Sequence, residues 1–399
     1  MDLIKEDETY VLNLYKRLPL VVKEAKGLWL TDEKGDRYLD FYGGIAVQTL
    51  GHNHPAVLQK MQRQMEAFMH LSNYFVASST VSLAKLLVSH SFAKKVFFAN
   101  SGAEANEAML KLALKYGLRK SKEKKNLVAL EKGFHGRTFG AMHLTGTKGY
   151  RAPFGEDLPF ITHIPMNDVD ALREAVDENT CGIVFEVIQG EGGLVEMDEA
   201  FALEVERLSK KYEALILVDE VQTGLYRTGT FFAHERFSLK PHAMTLAKGL
   251  GGGLPLGALL LSEEVEEVLQ KGDHGSTFGG NPVACAGGVG MLETLLAPSF
   301  QEELEKSMKG FEEGIRGLKK TYPHILTEVR GRGYMVGLVT EYAEEIKDRA
   351  FQKKLLLNVT GKNVVRLLPA LTLGKHEMDV FFRILRDILQ ELTEEQRRG

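Results

Sequence analysis

An apolar run, Ala214-Leu-Ile-Leu-Val218, ends abruptly in Asp219-Glu220, and this junction leaves the chain few architectures. Every position of the run is apolar, so both faces of the strand it forms must be buried. That is the mark of a parallel sheet covered on both sides. In open sheets of this kind ligands bind beyond the carboxyl ends of the strands, which is where Asp219 falls. A second short run, Ala243 to Ala247, ends in Lys248 and the cluster Gly249-Leu-Gly-Gly-Gly253. A carboxylate and an amine are thus expected at one sheet edge.

A buried lysine beside glycines has a depressible pKa and suits covalent chemistry with an aldehyde. A strand-end aspartate suits a protonated pyridine nitrogen. Together they suggest pyridoxal 5'-phosphate (PLP). The plain alternative is that Asp219 caps the next turn and Lys248 is a solvated loop residue. A run followed by Asp-Glu also matches the Mg-binding strand of a P-loop NTPase, but the chain has no Gly-x-x-x-x-Gly-Lys-Ser/Thr loop.

The rest of the chain repeats the strand–helix alternation. Lys95 to Asn100 reads as a strand, and Ser101 caps a helix that starts Glu104-Ala-Asn-Glu-Ala. The turn Ser101-Gly102-Ala103 therefore presents free N–H groups suited to a phosphate. Leu127 to Leu130 is a strand leading into Gly133-Phe-His-Gly-Arg-Thr138, where Phe134 could stack on a flat ring and Arg137 grip a carboxylate. Cys181 to Ile188 reads as another buried strand, interrupted by Glu186, with Gln189-Gly-Glu191-Gly-Gly193 as its loop; a carboxylate inside an apolar strand needs a partner. Phe201, Val205, Leu208 and Tyr212 mark the helix leading back to Ala214, and Leu256 to Leu261 is one more strand.

Three parts are expected. Residues 1–50, a featureless arm and a hairpin over Gly27 to Phe41, are part of the small domain, residues 51–297 form a large PLP-binding domain, and residues 298–399 form the smaller α+β domain at the C-terminus. The last opens with Ser299 and Glu302 as a capping box, and holds short strands at Val329 to Val339, Leu355 to Asn358 and Asn363 to Leu368. Gly275 to Pro282 reads as a loop. His52 and His54 lack the carboxylates or thiols of a metal site, so no metal is expected.

Charge and cysteines narrow the setting. A net charge of −4 in 399 residues gives no argument for nucleic acid or a membrane surface. The longest uncharged run, His274 to Leu292, is laced with Gly, Ser, Asn and Pro and makes a poor membrane span. Two cysteines imply no disulfide framework. The opening residues lack the basic-then-apolar order of a secretion signal, so a cytoplasmic protein is expected.

Four segments, in this order, resemble the class III PLP-dependent aminotransferases of fold type I: Asn100-Ser-Gly-Ala-Glu-Ala-Asn106, Leu217-Val-Asp-Glu-Val-Gln-Thr-Gly224, Leu246-Ala-Lys-Gly249 and Thr277-Phe-Gly-Gly-Asn-Pro282. The resemblance runs from about Tyr15 to about Leu389. It implies an α/β fold with a mainly parallel seven-stranded sheet and a smaller α+β domain. It implies that Lys248 holds PLP covalently and moves the substrate proton, and that Asp219 keeps the ring nitrogen protonated. Gln222 would contact the ring hydroxyl, Ser101, Gly102 and Ala103 the phosphate, and Phe134 the ring face. Thr277 would reach the cofactor phosphate of a neighbouring subunit, so a homodimer with shared sites is implied.

For substrates, Gly44-Ile-Ala-Val47, Phe134-His-Gly-Arg-Thr138 and Asp273-His-Gly-Ser-Thr-Phe278 are most similar to the acetylornithine group of the family. That likeness implies transfer of the ω-amino group of N-acetylornithine to 2-oxoglutarate, a step of arginine biosynthesis. Arg137 would grip one carboxylate and Arg366 the α-carboxylate of glutamate, with Glu191 pairing Arg366 when the ω-amine is bound. Tyr15, Glu186 and Ser276 complete the implied substrate site. Ala370 stands where a second proline is common, and Gly43 where serine is common. The alternatives are another ω-amine (ornithine, succinyl-diaminopimelate, 4-aminobutyrate or a lysine derivative), a glutamate-semialdehyde-type aminomutase, or an inert PLP-fold protein.

Overall fold

In a computed structural model of the chain, residues 2–237 and 239–398 are described. Fifteen strands follow one another along these residues. They are β1 (Val22–Lys26), β2 (Trp29–Asp32), β3 (Arg37–Asp40), β4 (Lys95–Ala99), β5 (Asn126–Leu130), β6 (Ile161–Ile164), β7 (Thr180–Phe185), β8 (Leu215–Asp219), β9 (Ala243–Leu246), β10 (Gly257–Leu261), β11 (Glu328–Arg332), β12 (Met335–Val339), β13 (Leu355–Leu356), β14 (Asn358–Thr360) and β15 (Val364–Leu367). Seven of them form one sheet in the order β4-β10-β9-β8-β7-β5-β6. β5 pairs in parallel with β6 and β7, β7 with β8 and β8 with β9, while β10 runs antiparallel to both β9 and β4.

The apolar run has the burial its composition demands. Ile216 and Val218 of β8 join one apolar layer, with Phe201, Val205 and Leu208 of the helix Glu199–Tyr212. Leu215 and Leu217 point the other way, into a layer with Met109, Leu112 and Ala113 of the helix Gly102–Lys120. Successive side chains of a strand alternate faces, so a strand covered twice has no polar positions to spare.

Two four-stranded sheets complete the molecule: β1-β2-β3-β13 and β11-β12-β15-β14. The parallel pairing of β13 with β3 joins the N-terminal hairpin to the C-terminal part. Phe41 stacks on Phe381 with centroids 4.2 Å apart, beside Phe311. Arg227, fully buried, donates to the carbonyls of Tyr334 and Pro369 and ties the region after β8 to β12 and to the turn after β15.

Several expectations need correction. The opening arm is not featureless, since Leu3–Tyr10 is a helix capped by Asp2. Ser299 caps nothing: the helix Pro298–Thr321 has Ala297 at its N-cap and proline at its first position, a place where the missing N–H costs little. The uncharged run His274 to Leu292, left unassigned beyond the loop that ends at Pro282, holds a helix. Asn281 accepts from Val283 N and Ala284 N and starts the helix Pro282–Leu295, buried at every residue except Glu293 and Thr294. A helix apolar all round has no amphipathic period to reveal it. Among the described residues no single helix is long and apolar enough to cross a membrane.

Candidate active site

The carboxyl ends of the parallel strands open into a cavity of about 490 Å³. Asp219 lies on its wall as the last residue of β8 and is 3 % exposed. Its Oδ2 accepts from Asn106 Nδ2 and from His135 Nδ1, both at 2.7 Å, and its Oδ1 accepts from Val221 N at 3.0 Å. Asn106 is itself oriented on both sides, because Nδ2 also reaches His135 O at 2.7 Å and Oδ1 accepts from Thr245 Oγ1 at 2.9 Å. Burial opposes a charge on His135, but the hydrogen bond and charge of Asp219 outweigh it and hold its pKa above the usual imidazole value. The second ring nitrogen, Nε2, is buried without a partner. A carboxylate braced by three donors at a cavity wall is held in place to face a cation.

Lys248 opens a short 3₁₀ turn, Lys248–Gly251, one residue after β9. Its φ of 47° is left-handed, a conformation that costs a non-glycine residue about 1–3 kcal/mol and that clusters at functional sites. Burial, then the positive charge of Arg366, push its pKa down to about 8, against the pull of Glu191, Glu186 and Asp219. Gly249 is required here: a Cβ would sit 2.0 Å from Thr49 Oγ1.

The helix Gly102–Lys120 points its N-terminus at the same cavity. Ser101 Oγ accepts from Glu104 N at 3.2 Å, and Glu104 Oε2 reaches back to Asn100 N at 2.7 Å. The N–H groups of Gly102 and Ala103 find no acceptor among the described residues. Two free donors at the positive end of a helix dipole suit a phosphate.

Arg366 lies on β15 and is 1 % exposed. Its Nη1 donates to Gly190 O and Glu191 Oε1, each at 2.7 Å, and to Gln222 Oε1 at 3.3 Å; Nε donates to Asn358 Oδ1 at 3.2 Å. Glu191 is the more exposed partner, at 29 %. A buried guanidinium paired with a carboxylate on a glycine-flanked loop is a charge that one swing of the acid side chain would uncover. Glu186 does not interrupt β7, which ends at Phe185. It braces two loops instead, accepting from Phe134 N at 3.0 Å and from Gly190 N at 3.2 Å. Burial pushes its pKa up to about 7.

Asp219, Lys248, Gln222, Ser101, Gly102, Ala103, Phe134, Arg137, Glu186 and Glu191 all line the cavity or its mouth, with Arg366 beside them. Three residues singled out from sequence lie elsewhere. Tyr15 is 72 % exposed and lies outside the cavity, with Arg17 over its ring at 5.9 Å. Ser276 stands behind the wall, its Oγ accepting from Asn100 Nδ2 at 3.0 Å. Thr277 is exposed outside the cavity. His52 pairs with Asp40, and no cluster able to hold a metal exists among the described residues. Asn106 and His135 went unassigned in the sequence. The signal for Asn106 was its i+4 spacing from Gly102, which places both on one helix face; His135 had none.

A sheet-edge aspartate, a lysine with a lowered pKa and an open helix N-terminus together suit a ligand that carries a cationic ring, an aldehyde and a phosphate. The profile of Aminotransferase class-III matches residues 10–389, and the chain belongs to that family. Its members are transaminases that use PLP.

Individual relatives sharpen this. Acetylornithine aminotransferase of Caldanaerobacter subterraneus subsp. tengcongensis is 42% identical over 393 residues, covering 98% of this chain and all of the relative (100%). That of Aquifex aeolicus is also 42% identical, over 96% of this chain and 100% of the relative. Among solved structures, the ornithine aminotransferase of Toxoplasma gondii superposes with a TM-score of 0.93 at 29% identity, covering 98% of this chain and 95% of that one. The acetylornithine aminotransferase of Elizabethkingia anophelis gives 0.86 at 28% identity, covering 98% of both.

Proposed function

We propose that this transaminase moves the ω-amino group of N-acetylornithine to 2-oxoglutarate, giving N-acetylglutamate semialdehyde and glutamate, with PLP held in the 490 Å³ cavity. The observation that carries the reading is the pair of arginines at the cavity, one paired with an acid and one not. Arg366 is covered by Glu191, while Arg137 makes no ion pair among the described residues. N-acetylornithine brings an uncharged carbon chain to the reacting end and one carboxylate to the far end. 2-Oxoglutarate brings a carboxylate to each. A grip that Glu191 neutralises for one substrate and exposes for the other serves both. The 42% identity to acetylornithine aminotransferases supports the same choice.

The residues present fit the cofactor. PLP, when bound, supplies an aldehyde for covalent exchange with amines and a ring that accepts electrons. Asp219 would face its ring nitrogen, Gln222 its ring hydroxyl and Phe134 its ring plane, with Ser101, Gly102 and Ala103 at its phosphate. Lys248 Nζ would take the proton released at the amino-bearing carbon and return it on the other side of the exchange.

A homodimer is part of the reading. Beside the exposed Thr277 lie Phe278, Met69, Tyr74, Phe75 and Val76, each more than half exposed, and the loop that carries them is bound to the 276–281 turn through Asn73 and Asn281. So much neighbouring exposed apolar surface supports an interface there. A cytoplasmic setting agrees with two buried free thiols, Cys181 and Cys285, each pushed up to about 12 by burial.

The test is kinetic. With 2-oxoglutarate as acceptor, kcat/KM should be larger for N-acetylornithine than for ornithine, succinyl-diaminopimelate or 4-aminobutyrate; a larger value for any of these reassigns the substrate to it. Arg366→Ala should weaken the half-reaction with glutamate by about 10- to 100-fold, the worth of a charge-assisted pair, and the ω-amine half-reaction much less. Equal losses in both, measured by single-turnover absorbance, would remove the dual-grip reading.

A further inference from the structure

Arg137 is fixed differently from Arg366. No carboxylate or carbonyl holds its guanidinium among the described residues. Its central carbon lies 3.7 Å from the centre of the Tyr150 ring and 5.7 Å from that of Phe134. The two rings meet edge to face, 5.9 Å apart at 85°. Stacking on a π face fixes the plane of a guanidinium but occupies none of its five N–H donors. An arginine held this way meets an incoming carboxylate with no partner to displace, whereas Arg366 must first lose Glu191.

Tyr150 is itself anchored. It ends the turn Lys148–Tyr150, its N–H donating to Thr147 O at 3.0 Å. The next residue, Arg151, is 5 % exposed and pairs with Asp157 at 2.7 Å. Arg151 Nη1 also donates to His163 Nδ1 at 3.4 Å, on β6 of the large sheet. Burial and then Arg151 push His163 down to about 4, so its ring is neutral; Nε2 donates to Leu144 O at 3.2 Å, which leaves Nδ1 free to accept. The backbone that carries the Tyr150 ring is therefore tied to the sheet through its neighbour Arg151.

We propose that Tyr150 is a positioning and specificity-determining residue, the platform that preorganises Arg137 to read the carboxylate at the far end of both substrates. This rests on the reading of Arg137 as a carboxylate grip, and the experiment separates the two. The readout is the ratio of kcat/KM for 2-oxoglutarate to that for pyruvate, a keto acid with no far carboxylate, in the PLP-loaded enzyme.

Tyr150→Leu should lower the ratio roughly tenfold, through KM for 2-oxoglutarate rather than kcat, as expected when a fixed cation becomes mobile. KM for N-acetylornithine should rise by a similar factor. Tyr150→Gln, a polar replacement for this half-buried site, should behave alike should the leucine variant fold poorly. Tyr150→Phe keeps the ring and should restore the wild-type ratio. An unchanged ratio in Tyr150→Leu and Tyr150→Gln, while Arg137→Gln collapses it, overturns the role of Tyr150 alone. An unchanged ratio in Arg137→Gln overturns the grip itself. Equal loss in Tyr150→Phe and Tyr150→Leu also overturns the proposal, because the hydroxyl and not the ring would then matter.

Discussion

Lys248→Ala will lose transamination by at least about 10³-fold, the scale set by losing a positioned proton carrier, and will lose covalent PLP uptake altogether. The alanine protein should fold normally. The left-handed backbone at 248 is about as unfavourable for alanine as for lysine, so removing the side chain neither relieves nor adds strain. The cofactor-free wild type offers a second check on the same amine. Burial lowers its pKa to about 8, and only the neutral amine can attack an aldehyde. Its rate of PLP capture, followed by absorbance, should therefore rise with pH and level off above about 8. A rate that keeps rising past pH 10 would mean that Lys248 titrates like an exposed lysine. Retained turnover in Lys248→Ala would place the chemistry elsewhere.

Asp219→Asn should lower kcat by about 10²- to 10³-fold, the usual cost of losing one preorganised charge at a reacting centre. The geometry explains why a neutral isostere is no substitute. Oδ2 already serves Asn106 and His135, so an amide oxygen would be held there. The amide nitrogen would then replace Oδ1, where the Val221 N–H points, setting donor against donor. A second readout is independent of turnover. Asp219 is what raises the His135 pKa against burial, so the ring should titrate lower in the variant, by NMR of the imidazole protons. A kcat within tenfold of wild type, with His135 unmoved, would remove Asp219 from the charge-pairing role.

Much of this was legible in the chain because it is local. A run apolar at every position, Leu215 to Val218, has one physical solution, a strand covered twice, and the polar residue ending it must lie at the sheet edge. Ser101 before a helix-forming segment fixes its own cap, and free N–H groups follow from helix geometry. Lys248 next to glycine suggested aldehyde chemistry locally, while the order of the motifs pointed to PLP through the family resemblance.

What the chain could not disclose depends on partners far away in sequence. Asn106 and Asp219 stand 113 positions apart, and Arg366 and Glu191 175 apart. No periodicity records such a meeting, because it is set by how strands and helices pack rather than by neighbours. The same holds for Tyr150, an unremarkable residue in a turn until the fold lays Arg137 on its ring. The helix Pro282–Leu295 was hidden for a related reason, since burial on every side erases the polar face that would announce it. Local pattern decided which groups reach the sheet edge. Only the packed structure decided which of them are charged, paired or left free there, because burial and long-range contacts set those energies.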